Sequence, residues 1–180
     1  MPNLPMPDGV EMTDLECVML EVAPFNVEAA MGDAFSENDL FYGDHPNLEY
    51  AQGMVGETNP HLTLLFGIHP SDDYEMNVYL ALDGWDLPDI MINEIGFFPS
   101  RIEGQDYVCI VAHVAQTAPL MAGNARLKEL PHTDNFPNYL PHIALAYIKG
   151  SADKEEWLFR LNAAFGHKFV KPLALDLGND

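Results

Sequence analysis

The chain has 180 residues and a mass of 20.1 kDa, with 28 acidic against 8 basic side chains and a formal net charge of −20. That length makes one domain, or two small lobes sharing a core, and an apolar fraction of 48% at a mean hydropathy of −0.07 supplies an interior and excludes disorder. A surface this acidic opposes long nucleic acids, whose affinity comes from Lys and Arg neutralising phosphates, yet it leaves room for a small anion in a local pocket.

Residues 1–12 are Pro-rich and acidic, with no basic stretch leading into an apolar segment, and read as no signal peptide. No run is long and apolar enough for a membrane span. The first strand is expected at Leu15–Val22. It carries Cys17, and the second cysteine, Cys109, also sits in a strand-like apolar run. Buried free thiols and a cytoplasmic location follow as the simplest reading. From Pro24 to Asn59 the pattern is weakly periodic, with a short helical piece at Val27–Phe35 and otherwise loop. A loop of this length in a compact domain points to function.

Further on, the sequence predicts a strand at His61–Phe66 and a helix at Ser71–Leu82, with Ser71 as N-cap and two aspartates in its first turn. A strand at Met91–Phe98 and the turn 99–104 lead to a strong strand at Tyr107–Val114. A helix at Ala118–Leu130 is stopped by Pro131. The strand His142–Ile148, a helix at Ala152–Phe165 closed by Gly166, and a strand at Phe169–Leu177 complete the chain. The order repeats: strand, connection, strand beginning Pro-His, helix, strand. Residues 13–98 and 105–178 therefore read as two lobe-forming repeats of one α+β domain, related by a pseudo-twofold about a central cleft.

The chemistry lies in the repeated segments Pro60-His61-Leu62-Thr63-Leu64 and Pro141-His142-Ile143-Ala144-Leu145. Strand alternation puts His61, Thr63 and Leu65 on one face and Leu62, Leu64 and Phe66 on the other. In the second repeat His142, Ala144 and Ala146 share a face. Two imidazoles flanking one cavity suit phosphodiester cleavage. A neutral ring takes a proton from the attacking hydroxyl or water, and a protonated ring gives one to the leaving oxygen. The Thr63 hydroxyl would donate to a non-bridging phosphate oxygen, where charge grows.

Asn59-Pro60-His61-Leu62-Thr63-Leu64-Leu65-Phe66-Gly67 resembles the first H-x-T signature of the 2H phosphoesterase superfamily, and Pro141-His142-Ile143-Ala144-Leu145-Ala146-Tyr147 resembles the second. The resemblance implies a bilobed LigT-like fold, with two pseudo-symmetric antiparallel-sheet lobes, helices outside and a central cleft. It also implies a metal-independent phosphodiesterase with His61, Thr63 and His142 in catalytic roles. Members act on RNA 2′,3′-cyclic phosphates, and phage members of the anti-CBASS type degrade cyclic oligonucleotide alarm signals. A small nucleotide is thus the expected partner. A cyclic oligonucleotide stands ahead of a 2′,3′-cyclic phosphate, and the location would be the host cytoplasm if the chain is phage-encoded. The departure is Ala144, where the family has Ser or Thr. Natural tolerance, an engineered substrate trap and a lineage kept for binding alone all account for it. The last makes the chain a non-catalytic nucleotide sponge.

Tyr42 and Tyr50 in the long loop are candidates for stacking on a base, and Arg101 and Lys149 for facing a phosphate, with solvated surface as the alternative. His113 lines the cleft or is a buried structural histidine. Trp85 and Trp157 stack on a base or belong to the core, and helical spacing with Leu158 and Leu161 places Trp157 in the core. His45, His69, His132 and His167 have no ligand-like spacing. Without H-E-x-x-H, paired cysteines or an Asp-x-Asp loop no metal site is expected. Without a Walker or dinucleotide glycine pattern no cofactor is expected.

Overall fold

A computed structural model describes residues 3–56, 59–136 and 138–178, the side chains of residues 49 and 50 excepted. The elements in chain order are β1 (Glu16–Val22), α1 (Val27–Met31), β2 (His61–Ile68), α2 (Tyr74–Ala81), β3 (Ile90–Pro99), β4 (Tyr107–Val114), α3 (Ala118–Leu127), β5 (His142–Lys149), α4 (Lys154–Phe165), β6 (Phe169–Val170) and β7 (Pro172–Asp176). The strands form one sheet in the order β6-β3-β4-β5-β2-β1-β7, and all its pairings are antiparallel.

The predicted strands are found where the β-branched and alternating runs placed them, and the helices are shorter. The α2 helix begins at Tyr74, with Asp73 rather than Ser71 at the N-cap, and Ser71 gives its carbonyl to the Tyr74 N–H at 3.1 Å. The α4 helix is better closed: the Asp153 side chain accepts from the Glu156 N–H at 3.1 Å, and Glu155 and Glu156 occupy the first turn. The final predicted strand divides at Lys171. Its first part pairs with β3 and its second with β1, so the two edge strands of the sheet are consecutive in the chain. Edges joined by one residue must lie close together, and the sheet therefore curls.

The halves of the sequence exchange their closing strands. β1 and β2 from the first half take β7 from the second, while β4 and β5 from the second half take β3 from the first. The symmetric relation is thus β1–β2 with β7 against β4–β5 with β3, and β2 meets β5 at the centre.

One continuous core lies on one face, with Val18, Leu20, Leu62, Leu64, Ile110, Ile143, Leu145, Ile148 and Leu161 at 0% exposure. Each such side chain contributes about 1.5–3 kcal/mol by leaving water. Trp157 is buried in it and donates its indole N–H to Asp39, which settles its core reading. Trp85 donates to the Pro119 carbonyl and lies over Gly123, so it too is structural. The α4 helix is fastened to β3 by Asn162, which bonds both the N–H and the C=O of Ile95. The α3 helix is fastened to β2 by Asn124, which donates to the Leu64 carbonyl at 2.6 Å. Among the described residues no helix is long and apolar enough to cross a membrane.

Candidate active site

β2 and β5 meet through the pair Leu62 and Ile143 and then part. Each freed edge finds another partner, as unpaired backbone groups require. Along β5 the long loop supplies it: Phe41 N–H donates to the Tyr147 carbonyl at 3.0 Å, Tyr147 N–H to Met54 at 3.1 Å and Gly56 N–H to Leu145 at 2.6 Å. Along β2 the segment after α3 does the same, through His69 N–H to Pro131 and Thr133 N–H to Gly67, each at 2.9 Å. Gly67 is required there. Its φ is +105°, and a Cβ would run into the Thr133 carbonyl. Beside these strands lies a cavity of about 590 Å³, lined from β1 to β5, from α3 and from the segment between α3 and β5.

Extending the Leu62–Ile143 register by one residue each way sets Thr63 opposite His142 and His61 opposite Ala144. Leu62, Leu64, Ile143 and Leu145 are fully buried on the core side, while His61, Thr63, His142 and Ala144 are half-buried on the cleft side. Opposite residues in such a ladder have Cβ atoms about 4.5–5.5 Å apart and diagonal ones about 7–8 Å. The imidazoles are the diagonal pair, a separation that a phosphate group spans. Thr63, His142 and Ala144 line the cavity, and His61 is not among its lining residues.

Proline fixes both rings. The residue before proline is extended, and proline itself holds φ near −65°, which brings the carbonyl two residues back beside the histidine ring. His142 Nδ1 lies 2.9 Å from the Leu140 carbonyl and His61 Nδ1 lies 3.5 Å from that of Asn59. A carbonyl only accepts, so Nδ1 carries the proton and the lone pair lies on Nε2. His132 follows Pro131 with the same bond, 2.8 Å to Leu130, but is buried outside the cavity. His142 is held below the ordinary histidine value chiefly by burial, with His113, Arg101 and His61 adding repulsion against the bond to Leu140. It is therefore mainly neutral at pH 7.

Strict alternation fails one residue beyond the motif. Leu65 and Ala146 are buried, and the half-buried Phe66 and Tyr147 line the cavity. Register shifts between Val18 and Met19 opposite β2, and between Ile110 and Val111 opposite β5, mark the cause. A bulge in each ladder turns the following side chains to the other face. The bulges sit at equivalent places, so Phe66 and Tyr147 are equivalent, as are their partners Cys17 and Cys109, and all four reach the cavity. Burial pushes the Cys17 thiol up to about 11, against a hydrogen bond from Thr63.

The other candidates divide. Arg101 lines the cavity. Lys149 is exposed outside it, with its ammonium on the Asn38 carbonyl. Tyr42 is exposed outside it, over Gly53. Tyr50 lies in a short 3-10 segment, and its side chain is outside the described residues. His113 pairs with His142 across β4 and β5 and packs edge-on against Phe98, half-buried rather than sealed in the core. The sequence did not flag Phe98, Phe136, Tyr139, Asn124, Lys128 or Asp134, which complete the cavity wall. Tyr139 donates to the Thr63 carbonyl at 2.9 Å, and Lys128 pairs with Asp134 at 3.0 Å. Among the described residues no group of three or more His, Cys, Asp or Glu is placed to hold a metal ion.

No family model and no curated protein matches the chain in sequence. Solved structures do match. Kluyveromyces marxianus Usb1 with uridine monophosphate superposes with a TM-score of 0.51 at 10% identity, covering 94% of this chain and 96% of that one. Usb1 of the same yeast without the nucleotide gives 0.49 at 9%, covering 84% and 80%. At 10% identity the likeness is one of fold alone: a mixed α+β architecture on a seven-stranded antiparallel sheet.

Proposed function

We propose that the chain is a metal-independent phosphodiesterase acting on small nucleotides. One observation carries the reading: the two Pro-His segments meet at Leu62 and Ile143, which sets His61, Thr63, His142 and Ala144 on one half-buried face, and the last three of these line the cavity. Each imidazole has Nδ1 beside a backbone carbonyl, which assigns the proton transfers to Nε2. His142, held neutral, takes the proton from the attacking water or hydroxyl as its oxygen bonds to phosphorus. His61 gives a proton to the oxygen whose bond to phosphorus breaks. Thr63 donates to a non-bridging oxygen. That a matching fold is solved with uridine monophosphate supports a nucleotide in this cleft.

Within that reading a cyclic oligonucleotide stands ahead of an RNA 2′,3′-cyclic phosphate. A charge of −20 disfavours long RNA, and a cavity of about 590 Å³ has the size of a small-ligand site. A chain doing this in an infected cell's cytoplasm would remove an immune signal. Ala144 motivates a second reading, a sponge that binds nucleotides without cleaving them. Incubation at enzyme excess with cyclic dinucleotides, cyclic trinucleotides and 2′,3′-cyclic mononucleotides, read by mass, separates the two. Linear or ring-opened products establish the enzyme, and unchanged ligand that co-purifies with the protein establishes the sponge.

A further inference from the structure

We infer that Arg101 holds the substrate phosphate from above the cleft and supplies the electrostatic stabilisation that Ala144 lacks. This rests on the phosphodiesterase reading and names a further residue for it.

Arg101 follows β3, and its guanidinium lies 5.9 Å from the ring centre of Phe98 and 5.9 Å from that of Phe136. Phe136 in turn meets Phe66 of β2 edge-on at 6.4 Å, and Phe98 meets the His142 ring edge-on at 4.9 Å. The series Phe98, Arg101, Phe136, Phe66 thus runs from β3 on one side of the cleft to β2 on the other. Arg101 and His142 share the Phe98 ring, so their centres are no farther apart than those two contact distances laid end to end. A guanidinium held near two aromatic rings carries a planar fork of five N–H donors, the geometry that matches phosphate oxygens.

Charge strengthens the case. Two Lys or Arg side chains line the cavity, Arg101 and Lys128, and Lys128 is neutralised by Asp134. Among the described residues no carboxylate pairs with Arg101, although acids outnumber bases by 28 to 8. A net charge of −20 repels an incoming phosphate, and a local cation left without an acid partner offsets that field where the anion must sit. In the first repeat Thr63 offers a hydroxyl. In the second Ala144 offers none, and Arg101 lines the same cavity.

Uridine monophosphate binding by calorimetry and turnover on the cleaved member of the nucleotide panel test this together. Arg101→Ala should weaken binding and slow turnover by roughly ten- to 150-fold, the worth of a hydrogen bond to a charged group. Arg101→Lys should recover part of it, and Lys149→Ala should change neither. Arg101 is exposed, so each variant should keep the parent's urea midpoint. Losing a positive neighbour also raises the His142 pKa, moving the acid limb of the rate profile to higher pH. Ala144→Thr should restore at least about tenfold in the Arg101→Ala background while changing the parent by less than about threefold, the non-additivity of two groups serving one phosphate. Unchanged nucleotide affinity in Arg101→Ala, or an equal gain from Ala144→Thr in both backgrounds, would overturn the inference with the two-histidine reading left standing. If the parent cleaves nothing, that reading falls, and the uridine monophosphate affinities still decide whether Arg101 is an anion site.

Discussion

Leu62 and Ile143 are partners across β2 and β5, and both side chains are fully buried. They join the halves of the sheet, and the next residue of each strand faces the cleft. Stability and site geometry therefore rest on the same contact. Ile143→Ala should cost about 2–5 kcal/mol and Ile143→Val about 0.5–1.5 kcal/mol, measured by urea unfolding. A loss below 1 kcal/mol for the alanine variant would mean that the joint is not packed as described.

The state of His142 fixes the acid side of the rate profile. Its ring is held below the ordinary histidine value, so it sheds its proton below pH 6.5 and is ready as a base at neutrality. As pH falls through that depressed value the base is lost, and kcat/KM should fall tenfold per unit. The acid limb should thus lie below 6.5, and it should vanish from the residual activity of His142→Ala. A limb above 6.5 that persists in that variant would assign it to another group.

Removing either imidazole should leave the fold intact and lower the rate by at least about a hundredfold, the lower end of general acid–base catalysis. His61 and His142 are both half-buried on the cleft side, so alanine there opens no core cavity. With His61 and His142 as the proposed carriers of the proton transfers, EDTA should leave the rate unchanged. Near-normal turnover in either variant, or abolition by EDTA with recovery on adding a divalent ion, contradicts the two-histidine chemistry.

The strands and the two Pro-His segments could be read from sequence because each depends on local pattern. Pro60 and Pro141 fix extended backbone, and the runs after them alternate. The facing of His61, Thr63, His142 and Ala144 followed from period two alone. Phe66 and Tyr147 did not, because a bulge is a relation between two strands and leaves no mark in either one. For the same reason the exchange of β3 and β7 was hidden: pairing partners are chosen by the curled sheet, and either closing strand has the pattern to fit either place.

The cavity wall was illegible on other grounds. Phe136 and Tyr139 come from the segment between α3 and β5, which has no periodicity, and they are placed by the Gly67–Thr133 contact and the Tyr139–Thr63 bond. Lys149 and Tyr42 had the chemistry of ligand groups but sit where the long loop pairs with β5. That loop turned out to fill the edge β2 leaves open and to support Tyr147.

Cys17 offers a chemical probe of the cleft. It lines the cavity beside Thr63 and faces Phe66 across the ladder, and burial pushes its thiol up to about 11. The thiolate is the reactive form, and at pH 8 a thiol of that pKa has about one part in a thousand of it. Iodoacetamide should therefore modify Cys17 at least about a hundredfold more slowly at pH 8 than an exposed cysteine. The rate should climb about tenfold per pH unit until the thiol titrates. Thr63 favours the thiolate by hydrogen bonding, so Thr63→Val should raise the pKa further and slow the reaction again. Uridine monophosphate in the cleft should protect Cys17 and Cys109, the equivalent thiol on the other side, as read by peptide mass. Rapid alkylation of Cys17 at pH 8 would show that its strand is not packed as the ladder places it. Protection of neither cysteine at saturating nucleotide would put the ligand outside this cavity.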